Sequence, residues 1–553
     1  MRHAIFLVIF LLFLSGLHAE DVDLQPKMIG SATAIVTLNW SVDLGSQQVS
    51  ELSIKSFGFK DYPSQRVLSE ETSLFTSFET DDYGNKIRLF TLDPGKPFQT
   101  FGMVSQVHVG FPLEFKRALP AEAEYYLQES PYIRLTPEIR EMARQLTHDE
   151  TTDWNRLIVL SLWVHNNLAY DTALISVTND AEEVFRDRVG TCDEFSHLLI
   201  AMLRSVGIPA KFSAAFVYSG TDWGAHAFVE ALIEDEWIPV DPTFNEAMLL
   251  DATHIKFGEG LDQQDIKEDI LIRSFNADVG QIKLTRSFNV EFTDTQPFPK
   301  YFDMELDVTD KRVGSHSLET VWLTVRNRDR RLAVPLTLNV PSELDVLGPD
   351  EYNHDKLLFL QPYEERTVGW KVLVPQLDEG YVYTFPIEVI SLGQRVVKML
   401  NASKGGERTQ EERVEILSVS TDKNGGVMNL SILIKNTGNQ PLPDVNVSLT
   451  APGFNETRSL RLRTGEVQDV PFSLYVGTAK ELRASVSIRI PSHEFSQALV
   501  VAFEEPAPTP EVFEDDLSGI PFPRDMILVA LGILLFLIFL FIMSRVIHIN
   551  VQR

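Results

Sequence analysis

Apolar residues recur along this chain in two rhythms, and the changes between them mark its units. From residue 20 to 118 short runs are rich in β-branched residues, as in Ala32-Thr33-Ala34-Ile35-Val36-Thr37-Leu38. With a turn at Asp82-Tyr83-Gly84-Asn85, this predicts a β-rich unit, read as a sandwich. Near residue 119 the rhythm becomes helical. Thr136-Pro137-Glu138 supplies an N-cap, a proline at the first helical position and an acid in the first turn. A second helix is predicted from about Asp153 to Ala169. Its Leu157, Ile158, Leu160, Leu162, Trp163 and Val164 leave little polar face, so it is central. A third follows Cys192, with Phe195, Leu198, Leu199, Met202 and Val206 at helical spacing and Gly207-Ile208-Pro209 as the stop. Strands are predicted at Ala210 to Tyr218, His226 to Ile233 and Trp237 to Val240. Helices followed by an antiparallel sheet make an α+β core.

From residue 285 alternation returns, with a weak repeat. Leu323-Thr324-Val325-Arg326-Asn327 resembles Ile432-Leu433-Ile434-Lys435-Asn436, and Thr367-Val368-Gly369-Trp370 parallels Asp469-Val470-Pro471-Phe472. A period near 100 residues predicts two immunoglobulin-like sandwiches, at 285–403 and 411–503. The chain is thus multidomain, an α+β core flanked by all-β sandwiches.

The ends carry a third signal. Met1-Arg2-His3, an apolar run from Ala4 to Leu14 and then Leu17-His18-Ala19 predict a signal peptide over 1–19. Residues 504–523 form an acidic, proline-rich linker. The apolar run 526–543 is about 27 Å long as a helix, enough to span a bilayer. Arg545 and Arg553 after it assign 544–553 to a cytoplasmic tail. The expected protein is single-pass in the cell membrane, with its body outside. Asn39, Asn401, Asn429, Asn446 and Asn455 head glycosylation triplets.

Composition narrows the function classes. A formal net charge of -29 over 553 residues excludes a nucleic-acid partner, whose phosphates would be repelled. One cysteine excludes intramolecular disulfides. That cysteine lies in Val189-Gly190-Thr191-Cys192-Asp193-Glu194-Phe195. Ala225-His226-Ala227-Phe228-Val229-Glu230 and Trp237-Ile238-Pro239-Val240-Asp241-Pro242-Thr243 follow. Cys192, His226 and Asp241 stand in the order of a thiol nucleophile, its base and the residue orienting the base. A helix start at Cys192 and a proton-accepting His226 are both expected to lower the thiol pKa, with Asp193 and Glu194 working weakly against them. His226, Phe228 and Glu230 share one strand face. Asp241 is expected near Glu230 on that face, about four residues from His226, with twist or a bulge closing the gap.

Trp223, Phe228 and Trp237 are candidate walls of a substrate cleft, and His197 reads as a flank residue. The triad residues lack a fourth metal ligand, and there is no EF-hand loop. No metal or cofactor is expected.

Gly190 to Phe195, Leu198-Leu199 and Leu203 to Ala210 together resemble the nucleophile segment of the transglutaminase-like superfamily. His226 to Glu230 resembles its histidine strand, and Trp237 to Thr243 its aspartate segment. Trp163-Val164 and Tyr170-Asp171 resemble the stretch before the nucleophile. The resemblance covers roughly residues 120 to 262 and implies a papain-like catalytic domain at 119–265, with the cysteine on a helix packed against a sheet carrying His and Asp. Phe228 stands where the family often has Trp. Cys192 N–H is one oxyanion donor, and Trp163 and Tyr170 are candidates for the second. Phe185, Arg186 and Asp187 stand where papain relatives carry Gln. His254, in Ala252-Thr253-His254-Ile255, matches a loop of the family with no role attached. The implied function is attack on amides of a protein or peptide outside the cell through a thioester. Water would resolve it as a peptidase or amidase does, or an amine as a transglutaminase does. The alternative is a non-catalytic surface scaffold, with the sandwiches engaging surface-protein partners.

Overall fold

The computed structural model describes residues 29–502, apart from short internal stretches, and 546–551. The expected signal peptide, the linker and the apolar run 526–543 lie outside the described residues. No helix among the described residues is long and apolar enough to cross a membrane.

The N-terminal unit grows from strict alternation. Strand Ile29–Asp43 buries Ala32, Ala34, Val36, Leu38, Trp40 and Val42 on one face. Trp40 stacks on Phe101 with ring centroids 5.4 Å apart, and Phe90 closes the cluster at 5.3 Å. One sheet runs Lys283–Pro297, Ile29–Asp43, Phe98–Gly110, Gln65–Thr72. The other includes Glu268–Arg273, Glu51–Gly58, Lys86–Leu92 and Thr76–Thr80. This changes the expected division of the chain. Lys283–Pro297, expected to open the next sandwich, instead runs antiparallel along all of Ile29–Asp43, with Asp43 opposite Lys283 and Ile29 opposite Pro297. The α+β unit is therefore an insertion within the N-terminal sandwich. Val546–Val551 adds a strand beside Glu268–Arg273, whereas the sequence expectation for these residues is a tail beyond a membrane.

The inserted unit holds helices α1 (Pro120–Tyr125), α2 (Pro137–Leu146), α3 (Asp153–Asn167), α4 (Ala181–Asp187) and α5 (Cys192–Ser205). Thr136 Oγ1 accepts from Ile139 N–H at the start of α2, as its sequence predicts. The two short helices, α1 and α4, carry too few turns to show a period. Strand order is Glu246–Ala247, Glu236–Asp241, Trp223–Ile233, Ala210–Tyr218, Ile255–Gly260, all antiparallel. Ala227, Val229 and Ala231 join Leu198, Leu199 and Met202 of α5 in one core. By alternation His226, Phe228 and Glu230 lie on the opposite face.

Two further units follow, each of two antiparallel sheets around its own core. The repeat has a structural counterpart. Strands Leu318–Asn327 and Val427–Asn436 pair with Glu365–Leu373 and Val467–Tyr475 respectively. Each ends in an asparagine whose Nδ2 ties down the following turn, Asn327 on Arg330 O at 2.6 Å and Asn436 on Gln440 O at 2.8 Å. Trp154 of α3 stacks on Phe359 at 4.7 Å and joins the inserted unit to the first of these. Asn39, Asn401, Asn429 and Asn455 are exposed, while Asn446 is half-buried and accepts from Ser459 Oγ.

Candidate active site

The residues before Cys192 set its position. Thr191 is the N-cap of α5, and Glu194 folds back on it. Thr191 N–H and Oγ1–H donate to Glu194 Oε2 at 2.8 and 2.7 Å, and Asn179 N–H donates to Oε1 at 3.0 Å. Glu194 is fully buried by this closure. A Cβ on Gly190 would lie 2.4 Å from Glu194 Cβ, so the closure requires glycine there. Asp193 has a different environment. Its Oδ2 accepts from Gln263 Nε2 at 2.6 Å, and its Oδ1 lies 3.9 Å from Cys192 Sγ.

Cys192 is only 8% exposed. Burial, then the Asp193 carboxylate, push its thiol well above the ordinary range, against a smaller opposite effect of the Ala227 backbone N–H. The sequence expectation of a lowered thiol pKa is thus overturned. The helix start is present, but desolvation and an adjacent carboxylate outweigh it. Burial and the Glu194 charge raise Asp193 itself to about 7.

His226 and Asp241 meet more directly than expected. Glu234 and Asp235 both take positive φ, 51° and 66°, in a two-residue turn that pairs Ile233 with Glu236. Val229 then faces Val240, so Asp241 comes level with Phe228, two residues nearer His226 than the expected register. His226 Nε2 and Asp241 Oδ2 lie 2.7 Å apart, both buried. Asp241 Oδ1 accepts from Thr243 and Phe244 N–H at 2.8 and 3.1 Å. Phe244 stacks on the His226 ring at 5.0 Å. The bond to Asp241 leaves His226 Nδ1 as the nitrogen available to a thiol. No hydrogen bond joins Cys192 Sγ to His226 among the described residues.

His254 is the residue whose role the sequence did not reveal. Its Nε2 lies 3.0 Å from Asp241 Oδ2, the oxygen that His226 uses, and its Nδ1 lies 3.2 Å from Asp251 Oδ1. Burial would lower its pKa, but the bonds to Asp241 and Asp251 hold it well above the ordinary histidine value. Burial would likewise raise Asp241, yet the two imidazoles hold its carboxyl far below the usual range. A buried chain His226–Asp241–His254–Asp251 results, in which Asp241 carries four donors. The only sequence signal is the short spacing of Asp251 and His254 after Asp241.

His226, Asp241 and His254 also lie close enough to hold a metal ion, as do Glu246, Asp251 and His254. The bond lengths fit a proton-sharing chain better. Ligands of a tetrahedral zinc with bonds of about 2.0 Å stand about 3.3 Å apart, and His226 and Asp241 are closer at 2.7 Å.

The remaining candidates divide. Ala169–Tyr170 pairs parallel with Val189–Gly190, Tyr170 opposite Gly190. That places the half-exposed Tyr170 hydroxyl within reach of both the thiol and the backbone N–H of Cys192. Trp163 goes elsewhere. It stacks on Phe185 at 6.2 Å and lies under the Arg188 guanidinium at 4.5 Å. Trp223 packs on Phe292, and Phe228 and Trp237 are buried against the N-terminal sandwich, lining a cavity that Cys192 does not reach. His197 is no flank residue. It is fully buried, stacked on Tyr132 at 5.2 Å with its Nδ1 3.1 Å from Asn179 O.

A cysteine at a helix start, packed on a sheet that pairs a histidine with an aspartate, defines a class of thiol-enzyme fold. Residues 140–242 match the family model described as the transglutaminase-like superfamily, so the inserted unit is a transglutaminase-like domain. Two curated proteins are similar to parts of this chain. The uncharacterised protein YebA of Bacillus subtilis is 25% identical over 146 residues, which cover 22% of this chain and 20% of YebA. The uncharacterised protein ML0607 of Mycobacterium leprae is 25% identical over 118 residues, covering 20% of this chain and 41% of ML0607. The chain thus spans less than half the length of either relative. A Cytophaga hutchinsonii structure, described as a candidate cysteine protease, shares 18% identity. It covers 49% of this chain and 94% of that one, with a TM-score of 0.39. Red sea bream transglutaminase shares 10% identity over 85% of this chain and 92% of its own, with a TM-score of 0.18. At these TM-scores the site rests on its own geometry.

Proposed function

We propose that this protein is a thiol enzyme acting on amide bonds, with Cys192 as nucleophile, His226 as base and acid, and Asp241 as the residue orienting His226. The observation that carries the reading is the buried 2.7 Å contact between His226 Nε2 and Asp241 Oδ2. It leaves Nδ1 to take the thiol proton. The sulfur then attacks an amide carbonyl, whose oxygen gathers negative charge. Cys192 N–H and the Tyr170 hydroxyl are the donors near that point. The C–N bond breaks as His226 protonates the leaving amine, and a thioester remains. Water or a second amine resolves it. Contacts missing in a free enzyme can tighten when substrate binds.

The raised thiol pKa and the lack of a Cys192–His226 bond support the rival reading, a non-catalytic scaffold. Alkylation of Cys192 by a neutral reagent, followed against pH, separates the two. The enzyme reading expects reactivity well below pH 8 that is lost in His226→Ala. It also expects Asp193→Asn to react faster than wild type near pH 8, where Asp193, raised to about 7, is ionised beside the sulfur, and the difference to fade as pH falls below 7. Slow reaction with an ordinary or raised thiol pKa in all three proteins would leave the scaffold.

We further propose that the run 526–543 spans a membrane with residues 29–502 outside. A span would carry Val546–Val551 away from Glu268–Arg273, so span and strand pairing exclude each other. An epitope after Arg553 on intact cells decides. The proposal expects it to resist external protease until the membrane is permeabilised, and digestion beforehand would overturn it.

A further inference from the structure

His254 stands behind the triad with both ring nitrogens engaged, and among the described residues each faces acceptors alone. Nε2 meets Asp241 Oδ2 at 3.0 Å. Nδ1 meets the backbone oxygen and Oδ1 of Asp251, both at 3.2 Å. Asp251 Oδ1 already accepts from the N–H and the hydroxyl of Thr253, so it has no proton to return. Asp241 is placed alike, with Thr243 and Phe244 N–H on Oδ1 and the His226 ring on Oδ2. A neutral imidazole carries one bare nitrogen, and here that lone pair would lie against a carboxylate oxygen in a buried site. The imidazolium satisfies both ends, so the geometry makes His254 a fixed cation wedged between two carboxylates.

The other charged groups around the ring are engaged elsewhere. Glu246 Oε2 accepts from Asp251 N–H at 2.9 Å. Lys256, two residues on, gives its ammonium to Glu230 and Glu259. Lys211 shares these two acids at 2.9 and 3.0 Å, and Lys116 lies 3.6 Å from Glu259. Burial keeps the Tyr62 hydroxyl, in the same cavity wall as His254, protonated. Phe228 and Phe244 pack edge-on at 5.9 and 5.8 Å. The charge that matters is therefore that of His226. When His226 takes the thiol proton it becomes a second imidazolium, its ring centre 5.5 Å from that of His254, beside a carboxylate already shared. Like charges so placed oppose each other.

We propose that His254 is a positioning residue that acts through Asp241: it fixes the carboxylate against His226 and, by its charge, favours the neutral form of the Cys192–His226 pair in the free protein. The inference rests on the thiol-enzyme reading above. The step it controls is one proton transfer, from Cys192 Sγ–H to His226 Nδ1, which leaves a thiolate and an imidazolium with no change in total charge. It acts in the same direction as the burial and the Asp193 carboxylate that push the thiol up.

The test follows iodoacetamide alkylation of Cys192, the one cysteine of the chain, against pH in the full-length protein. His254→Gln offers Asp241 a neutral donor and removes the charge. Asp251→Asn takes away one of the two carboxylates that require the second proton. The expected result is a reactive limb moved to lower pH by about one to two units in His254→Gln, and in the same direction by less in Asp251→Asn. A residue that merely holds the fold leaves the limb in place or moves it upward, because a loosened Asp241 no longer orients His226. Either outcome in variants shown by thermal melts to be folded overturns the proposal. Nitrogen NMR of wild type with isotope-labelled histidine needs no variant. It should show a ring still doubly protonated at pH 8, where an ordinary histidine is neutral, and the absence of such a ring also overturns the proposal. His226→Ala separates the inference from the reading beneath it. If that variant keeps the wild-type profile, the thiol-enzyme reading fails and this inference with it. If it loses the low-pH limb while His254→Gln shifts nothing, this inference alone fails.

Discussion

Asp241→Asn is expected to destabilise the inserted unit by about 3–5 kcal/mol, the cost of removing one partner from a buried charged pair. It is also expected to reduce any thiol chemistry by about ten-thousandfold, as tautomer errors do in triads. The carboxylate accepts from Thr243 and Phe244 N–H and from both imidazoles. An asparagine offers one acceptor oxygen. If it serves the backbone donors, its NH₂ faces two ring N–H groups. His226 then has to present a lone pair at Nε2 and carry its proton on Nδ1, the nitrogen needed for the thiol. Hydrogen exchange of the Trp223–Ile233 and Glu236–Asp241 amides measures the stability loss locally. The pH dependence has a definite sign. Asp241, held below the ordinary carboxyl value of 3.8, contributes stability present above that pH and lost as pH falls through its folded value. His254, held above 6.5, contributes stability present below that pH and lost as pH rises through its folded value. The pair therefore stabilises most between about pH 4 and 6.5. The asparagine variant should lose that plateau, and an unchanged pH profile would refute the chain His226–Asp241–His254.

Lys211→Met is expected to cost a similar amount, about 3–5 kcal/mol, for the opposite charge. Burial would lower the Lys211 pKa, but Glu230 and Glu259 raise it above the ordinary lysine value. Without the ammonium, Glu259, 1% exposed, keeps only Lys256 at close range. Its carboxyl, now held well below the usual range by the lysines, should rise. Exchange protection of Ala210–Tyr218 should fall in the variant and recover partly at acid pH, where Glu259 is neutral. Lys398→Met, which removes an exposed 2.6 Å pair with Asp307, should leave protection unchanged. Equal protection in both variants would show that the lysine cluster carries no structural load.

The parts of this molecule that were legible in advance are those written in local spacing. Thr136-Pro137 starts a helix as composed, and the apolar period after Cys192 is α5 itself. In the sequence Glu194 counts only as a charge working against the thiolate, yet it closes a capping box that Gly190 makes room for. The His226–Asp241 register was misplaced by two residues, because Glu234 and Asp235 form a left-handed turn without the glycine or asparagine that normally announces one. The thiol environment depends on burial and on the orientation of Asp193, which no one-dimensional pattern records. His254 acquires a role only through a sheet edge that brings Ile255–Gly260 beside Ala210–Tyr218. The pairing of Ile29–Asp43 with Lys283–Pro297 joins segments about 240 residues apart, beyond the reach of any periodicity.

That last pairing imposes an order of events during biosynthesis. Ile29–Asp43 is made long before its second neighbour, which does not exist until residue 297 has been made. At roughly 5–20 residues per second, an unpaired edge stands open for roughly 10–50 s. In that interval the entire inserted unit is synthesised and can close on its own core. Nascent chains stalled anywhere between residues 110 and 283 should therefore present the same bare strand to holding chaperones, and should aggregate through it when those are absent.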